Sequence, residues 1–306
     1  MHTARDKYTL ELVEAEDLWI ITTVDQNRYI CRGCEVGVFP ASYIKGVNKR
    51  RPYFTLGPVN QHYNGCDVDG EVKIINSAKR KSVGSADGFP LPFPNRLAMN
   101  DERSVVPTEA PLPDGREGSG RKSRGTDSEI SRKHHGHTVK TIRPACRAYI
   151  NFPFDRAILP LSIPGIYGTT YAEVFWYLGS KRPSHFKNPK HLYYAAIRWT
   201  VDPVLTDASC VLTLNVGDWN QETKKHESLS QIHISWSTWS QSRRDTLMRE
   251  FEVTREEAAE KAKRNSRQKG WVFFVGEQDS ADPEIFYVNN HNLICCLPGE
   301  MIWPHA

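Results

Sequence analysis

A change of composition in the middle of the chain limits its fold more than any other feature. From residue 76 to 142, Ser, Gly, Pro, Lys and Arg dominate, as in Lys79-Arg80-Lys81-Ser82 and in the run from Gly115 to Arg124. So polar a segment buries too little apolar surface to offset the entropy of ordering it. It reads as a disordered basic linker with extended proline-rich patches, the first being Phe89-Pro90-Leu91-Pro92-Phe93-Pro94. The 306 residues then divide into a β-unit at 7–75, the linker at 76–142 and a larger domain at 143–306.

The composition excludes several classes. A formal net charge of +4 does not by itself mark a nucleic-acid binder. No stretch approaches the roughly eighteen uninterrupted apolar residues of a membrane span. The opening Met1-His2-Thr3-Ala4-Arg5-Asp6-Lys7 is polar and leads into no signal-peptide core. These features suggest an intracellular, cytoplasmic chain whose seven cysteines are mostly free thiols.

Leu18-Trp19-Ile20-Ile21-Thr22-Thr23-Val24 is the strongest strand candidate in the first part, because branched and aromatic side chains suit a pleated surface. Tyr29-Ile30-Cys31, Val36 to Phe39 and Val72 to Ile75 follow as shorter ones. In the last part, strands are expected at 148–152, 171–178, 192–201, 210–216, 230–236, 271–275, 285–288 and 293–297. One helix is expected from Arg255 to Arg267, with Thr254 as N-cap and Glu257 completing a capping box, and an earlier helical turn is expected from Arg243 to Phe251. Glu257–Lys261 and Glu260–Arg264 are i,i+4 pairs in the favourable order. Strands cluster rather than alternate with helices, so the fold class is α+β and mainly antiparallel.

The run Gly37-Val38-Phe39-Pro40-Ala41-Ser42-Tyr43-Ile44 resembles the closing signature of Src-homology 3 (SH3) domains. Its wording is nearest to the N-terminal SH3 of Dock-type exchange factors. Glu16-Asp17 sits where that family has an acidic turn, and Arg32-Gly33 where a basic residue and glycine are common. Tyr29 stands where the family usually has a groove tryptophan, and the family's opening Ala-Leu-Tyr motif is absent. The resemblance implies a small β-barrel that binds a proline-rich protein segment through Tyr29, Phe39, Pro40 and Tyr43. The same residues also read simply as the core of a β-unit.

Cys31-Arg32-Gly33-Cys34 is a C-x-x-C, and His62 and Cys66 follow at H-x-x-x-C spacing. Thiolate and imidazole suit tetrahedral zinc. On the SH3 reading, however, the first pair flanks a hairpin turn, and neither a metal nor a cofactor is expected. Gly165-Ile166-Tyr167 and Tyr177-Leu178-Gly179 resemble the two strands that name the GIY-YIG nucleases. That alternative implies metal-dependent phosphodiester cleavage near Tyr167, Tyr177 and Arg182, with Glu227 or Glu250 as metal ligand. Lys133-His134-His135-Gly136-His137 reads as a solvated basic patch, and the basic runs at 49–51 and 79–81 as exposed loops. The leading expectation is an adaptor-type interaction protein, with nucleic acid admitted but not favoured as a partner.

Overall fold

The computed structural model describes residues 1–44, 46–84, 89–98, 136–180, 190–264 and 266–304. Five short strands form the first unit: β1 (Thr3–Asp6), β2 (Leu12–Glu14), β3 (Tyr29–Ile30), β4 (Gly37–Ala41) and β5 (Tyr53–Leu56). They pair antiparallel in the order β2-β1-β3-β4-β5. Successive side chains of a strand point to opposite faces, so Ala4, Tyr29, Val38 and Phe54 meet on the concave side as the unit's core. The Met1 amine donates to the Phe54 carbonyl at 3.0 Å, and the Phe54 amide donates to the Met1 carbonyl at 2.9 Å. These two bonds curl the β5 edge back toward β1. No strand pairing among the described residues closes the sheet, so the expected barrel is an open, curled sheet.

Two local expectations in this unit are corrected. Residues 18–24 are not a strand. Ala15–Trp19 forms a 3₁₀ turn. The Glu14 amide donates to the Asp17 carboxylate at 3.1 Å, and this local cap overrides the β-propensity of the residues behind it. Leu18 and Trp19 are buried while Ile20 and Ile21 are exposed. Residues 72–75 lie in α1 (Glu71–Ala78), entered through Gly70 at φ 81°. Ile74, Ile75 and Ala78 share one face of it and pack on the second unit.

The second unit comprises β6 (Phe93–Leu97), β7 (Gly136–Val139), α2 (Arg143–Asn151), α3 (Tyr171–Val174), β8 (Phe175–Tyr177) and β9 (Leu192–Ala196). It continues with β10 (Val204–Leu205), β11 (Ser209–Thr213), β12 (Trp219–Asn220), β13 (Lys225–His226) and β14 (Gln231–Ser235). It ends with α4 (Gln241–Lys263), β15 (Lys269–Val275), β16 (Glu277–Gln278), β17 (Ile285–Val288) and β18 (Ile294–Gly299). One sheet has the order β18-β15-β9-β8, the other β10-β11-β14-β17-β16. The α+β class holds, with mixed sheets: β8–β9 and β14–β17 are parallel.

The first of these sheets is apolar on both faces. Tyr194, Trp271, Phe273, Cys295 and Leu297 pack toward α2 and β6. Tyr193, Ala195, Val272, Phe274 and Cys296 pack toward the second sheet and α4. Period-two alternation thus sends Cys295 and Cys296 into different cores. The expected strand at 148–152 is instead α2, where Pro144 at the first turn and the Ala145/Ala148/Tyr149 spacing suit a helix. The 171–178 strand is shortened to β8 by the helical turn α3, capped by Thr170. The expected 255–267 helix corresponds to the latter half of α4, which ends at Lys263 rather than Arg267. Thr254 lies inside it, and its hydroxyl donates to the Glu250 carbonyl at 2.6 Å rather than capping.

The linker boundaries also change. Residues 99–135 lie outside the described residues. Phe89, Leu91, Phe93, Leu97, Val139 and Ile142 are core residues of the second unit. Alternation with proline places Phe89, Leu91 and Phe93 on one side of an extended chain. There Phe89 packs edge-on against Phe93 at 5.4 Å and Phe152 at 4.9 Å.

The two units meet over a buried set of charges. The first unit supplies Glu14, Glu16 and Arg51; the second supplies Arg143, Arg147 and Glu250. Arg51 lies 3.1 Å from Glu16 and 3.3 Å from Glu250, and Arg143 lies 2.7 Å from Glu14 and 2.9 Å from Glu250. One side carries one excess anion and the other one excess cation, so the faces are complementary.

Candidate metal centre

The residues assigned to a peptide groove do not form one exposed surface. Tyr29 is 2% exposed, with its ring 5.1 Å from that of Phe54. Pro40 is buried, while Phe39 and Tyr43 are half-buried. Phe39 lies against Gly57, where an added Cβ would come within 2.8 Å of its ring. Tyr29 and Val38 pair directly across β3 and β4. Tyr29 thus belongs to the core of the curled sheet with Tyr43 packed against it, while Phe39 lies on the other face of β4.

A different constellation converges nearby. Cys31 and Cys34 lie in the turn between β3 and β4. His62 and Cys66 lie on the segment between β5 and α1. The Sγ atoms of the three cysteines and a ring nitrogen of His62 all lie within 4.8 Å of one another. Cys31 Sγ is 3.7 Å from Cys66 Sγ, and His62 Nδ1 is 3.3 Å from Cys34 Sγ and 3.5 Å from Cys66 Sγ. With Zn–S near 2.3 Å and Zn–N near 2.0 Å, tetrahedral angles place ligand sulfurs about 3.8 Å apart and sulfur and nitrogen about 3.5 Å apart. The observed spacings match both edges of that tetrahedron. Three soft thiolates and one imidazole select zinc over hard, oxygen-seeking cations.

The local backbone explains why the donors face inward. The Cys31 amide donates to the Val36 carbonyl at 2.7 Å, and the Glu35 amide returns to the Cys31 carbonyl at 3.1 Å, closing a tight knuckle. Gly33 sits where an added Cβ would be 3.0 Å from Cys66 Sγ and 3.3 Å from the Asp67 amide nitrogen. The glycine thus lets the second ligand segment approach the first. Backbone amides also point at sulfur: Gly33 N is 3.4 Å from Cys31 Sγ, and Val68 N is 3.4 Å from Cys66 Sγ. Arg32 ties the knuckle to α1 through Glu71 at 2.9 Å. These contacts orient the ligands without themselves reaching the ion's position.

The thiols are differentiated electrostatically. Burial opposes ionisation of Cys34, but hydrogen bonds from the Val36 amide, His62 and the Tyr63 amide outweigh it and bring the thiol down to about 6. Burial raises Cys66 to about 11, and its sulfur neighbours Cys34 and Cys31 add to the rise. A divalent cation would favour the thiolate at each of these sulfurs, Cys66 included, because a coordinating thiol is deprotonated. Cys31 and Cys66 are buried, and Cys34 and His62 are half-buried. Four protein ligands fill a tetrahedron and leave no open position, the arrangement of a structural site.

The nuclease-like segments are arranged differently from the pattern they resemble. Residues 165–167 lie in a turn, and β8 pairs with β9 rather than with that turn. Tyr167 is exposed, Tyr177 packs on Tyr194 and Trp303, and Arg182 lies outside the described residues. Glu250 is committed to Arg51 and Arg143, and Glu227 bonds Asn220 on the surface. Residues 133–135 of the histidine run also lie outside the described residues. No helix among the described residues is long and apolar enough to cross a membrane. Comparison with protein-family models, with curated proteins and with solved structures returns no match to this chain.

Proposed function

We propose that this chain is a zinc-binding protein whose N-terminal unit is organised around one structural Zn²⁺ held by Cys31, Cys34, His62 and Cys66. The carrying observation is that four zinc-type donors lie within 4.8 Å of one another and that three of their separations agree with the edges of a zinc tetrahedron. The unit's core is small, and its β3 strand spans only two residues. Small units of this kind commonly need a metal to stay folded. The role of the ion is architectural: it fixes the knuckle and the 57–70 segment, and so holds the face bearing Glu14, Glu16 and Arg51 against the second unit. The test is thermal unfolding of the purified chain with and without a zinc-selective chelator, beside a Cys66→Ser variant. Chelation and the substitution should each lower the unfolding temperature of the native chain, and chelation should leave the variant unchanged. A native chain indifferent to chelator refutes the proposal.

A further inference from the structure

Away from the metal centre, α4 ends in a strongly basic turn that leads into β15. Residues 261–269 contain Lys261, Lys263, Arg264, Arg267 and Lys269 and no acidic residue. All five are exposed, and none has an ion-pair partner among the described residues. Helical spacing pairs Glu257 with Lys261, yet Glu257 turns instead toward Arg51 at 3.8 Å. The stretch 261–269 therefore carries a local excess of positive charge, with Glu260 at its N-terminal side.

Beside this turn lies an aromatic cleft. The chain leaving β18 runs back past the start of β15, with Lys269 opposite Gly299 in the ladder. Arg267, Lys269, Trp271, Glu300, Met301, Ile302 and Trp303 enclose a volume of about 370 Å³. Trp303 is 49% exposed, although its indole N–H is anchored to the Tyr194 hydroxyl at 3.3 Å. Its ring is backed by Tyr177 at 5.5 Å and Trp271 at 6.3 Å. A large ring fixed from behind and open in front is a stacking platform. The volume falls toward the small end of the roughly 300–1,000 Å³ of ligand sites.

We propose that this cleft and the adjoining basic turn bind single-stranded nucleic acid, with a base stacked on Trp303 and the phosphate backbone running over Arg267, Lys269 and the end of α4. A π-platform combined with a track of unpaired cations is the physical requirement for such binding. Glu300, the one acidic lining residue, would repel a phosphate but can accept a hydrogen bond from a base amine. It therefore assigns the base to the Glu300 side and the backbone to the Arg267 side. This reading does not depend on the zinc assignment.

The test is fluorescence anisotropy of the full chain with dye-labelled single-stranded DNA and RNA of roughly a dozen nucleotides, and with the corresponding duplex. Both single strands should bind more tightly than the duplex. Trp303→Ala should weaken binding about 5- to 150-fold. The Arg267→Gln/Lys269→Gln double variant, altered only at exposed positions, should lower the slope of log K against log salt by about 1.4. No single-strand binding, a preference for duplex, or binding unchanged in both variants would overturn the proposal.

Discussion

Replacing Glu16 by Gln tests whether the two units are held together by their buried charges. Glu16 is fully buried and accepts from Arg51 at 3.1 Å and from Arg147. Burial alone would raise its pKa, but Arg147, Arg143 and Arg51 hold the carboxyl far below the usual range. In the Gln variant Arg51 keeps Glu250 at 3.3 Å and Glu257 at 3.8 Å. Arg147, whose ion-pair partner at the interface is Glu16, loses its anion. Removing one partner of a buried pair typically costs about 3–5 kcal/mol, and the partial exposure of Arg147 places this case near 3. For a chain of this size that corresponds to a drop of roughly 6–12 °C in unfolding temperature. Thermal denaturation followed by tryptophan fluorescence reads it, since Trp19 is buried in the turn that carries Glu16. Glu16→Met with Arg51→Met should cost less than the sum of the two single changes, because each single change leaves a charge stranded. A Glu16→Gln loss below about 1 kcal/mol, the range of an exposed pair, would mean that these charges do not hold the units together.

Gly33→Ala should weaken zinc binding by about tenfold or more in chelator competition, because its Cβ would press on Cys66 Sγ at 3.0 Å; unchanged affinity would show that ligand approach does not depend on the missing side chain. Asp17 is raised to about 7, first by burial and then by Glu14. A carboxyl with a raised folded pKa contributes stability below its unfolded value near 3.8, and that stability is lost as pH rises through 7. Asp17→Asn should therefore be nearly neutral at about pH 4 and raise the unfolding temperature at about pH 8 by roughly 2–4 °C; equal effects at both pH values would refute the assignment. Thr254→Val should destabilise the chain by about 1–3 kcal/mol in denaturant unfolding, since it removes an acceptor buried beside Arg51; an effect within about 0.5 kcal/mol would show that Arg51 does not depend on it.

The strands of the second unit were the most legible part of the sequence. Runs such as Ser230–Trp236 and Trp271–Val275 alternate or are apolar throughout; β14 falls within the first, and β15 covers the second and begins two residues earlier, at Lys269. Elsewhere, local chemistry competed with propensity and won. Asp17 capped a turn at the residues expected to begin a strand, and Pro144 opened a helix over an apolar run. Phe89-Pro90-Leu91-Pro92-Phe93 carried a core signal hidden by its proline content. The four candidate metal ligands were all visible as two spaced pairs, but Cys34 and His62 are 28 residues apart. Only the β4–β5 pairing, which folds the chain back on itself, reveals that they meet. The buried charges were least legible, because Arg51 sits in a run of cations that looks solvated and its partner Glu250 is 199 residues away.

A structural ion at Cys31, Cys34, His62 and Cys66 is the proposed organiser of the N-terminal unit. Elemental analysis of the purified chain, run beside a Cys34→Ser/His62→Ala variant, reads that ion without intermediary. One zinc per native chain and none in the variant is the expected result; a native chain free of zinc, or a variant that retains it in full, would rule out the assignment.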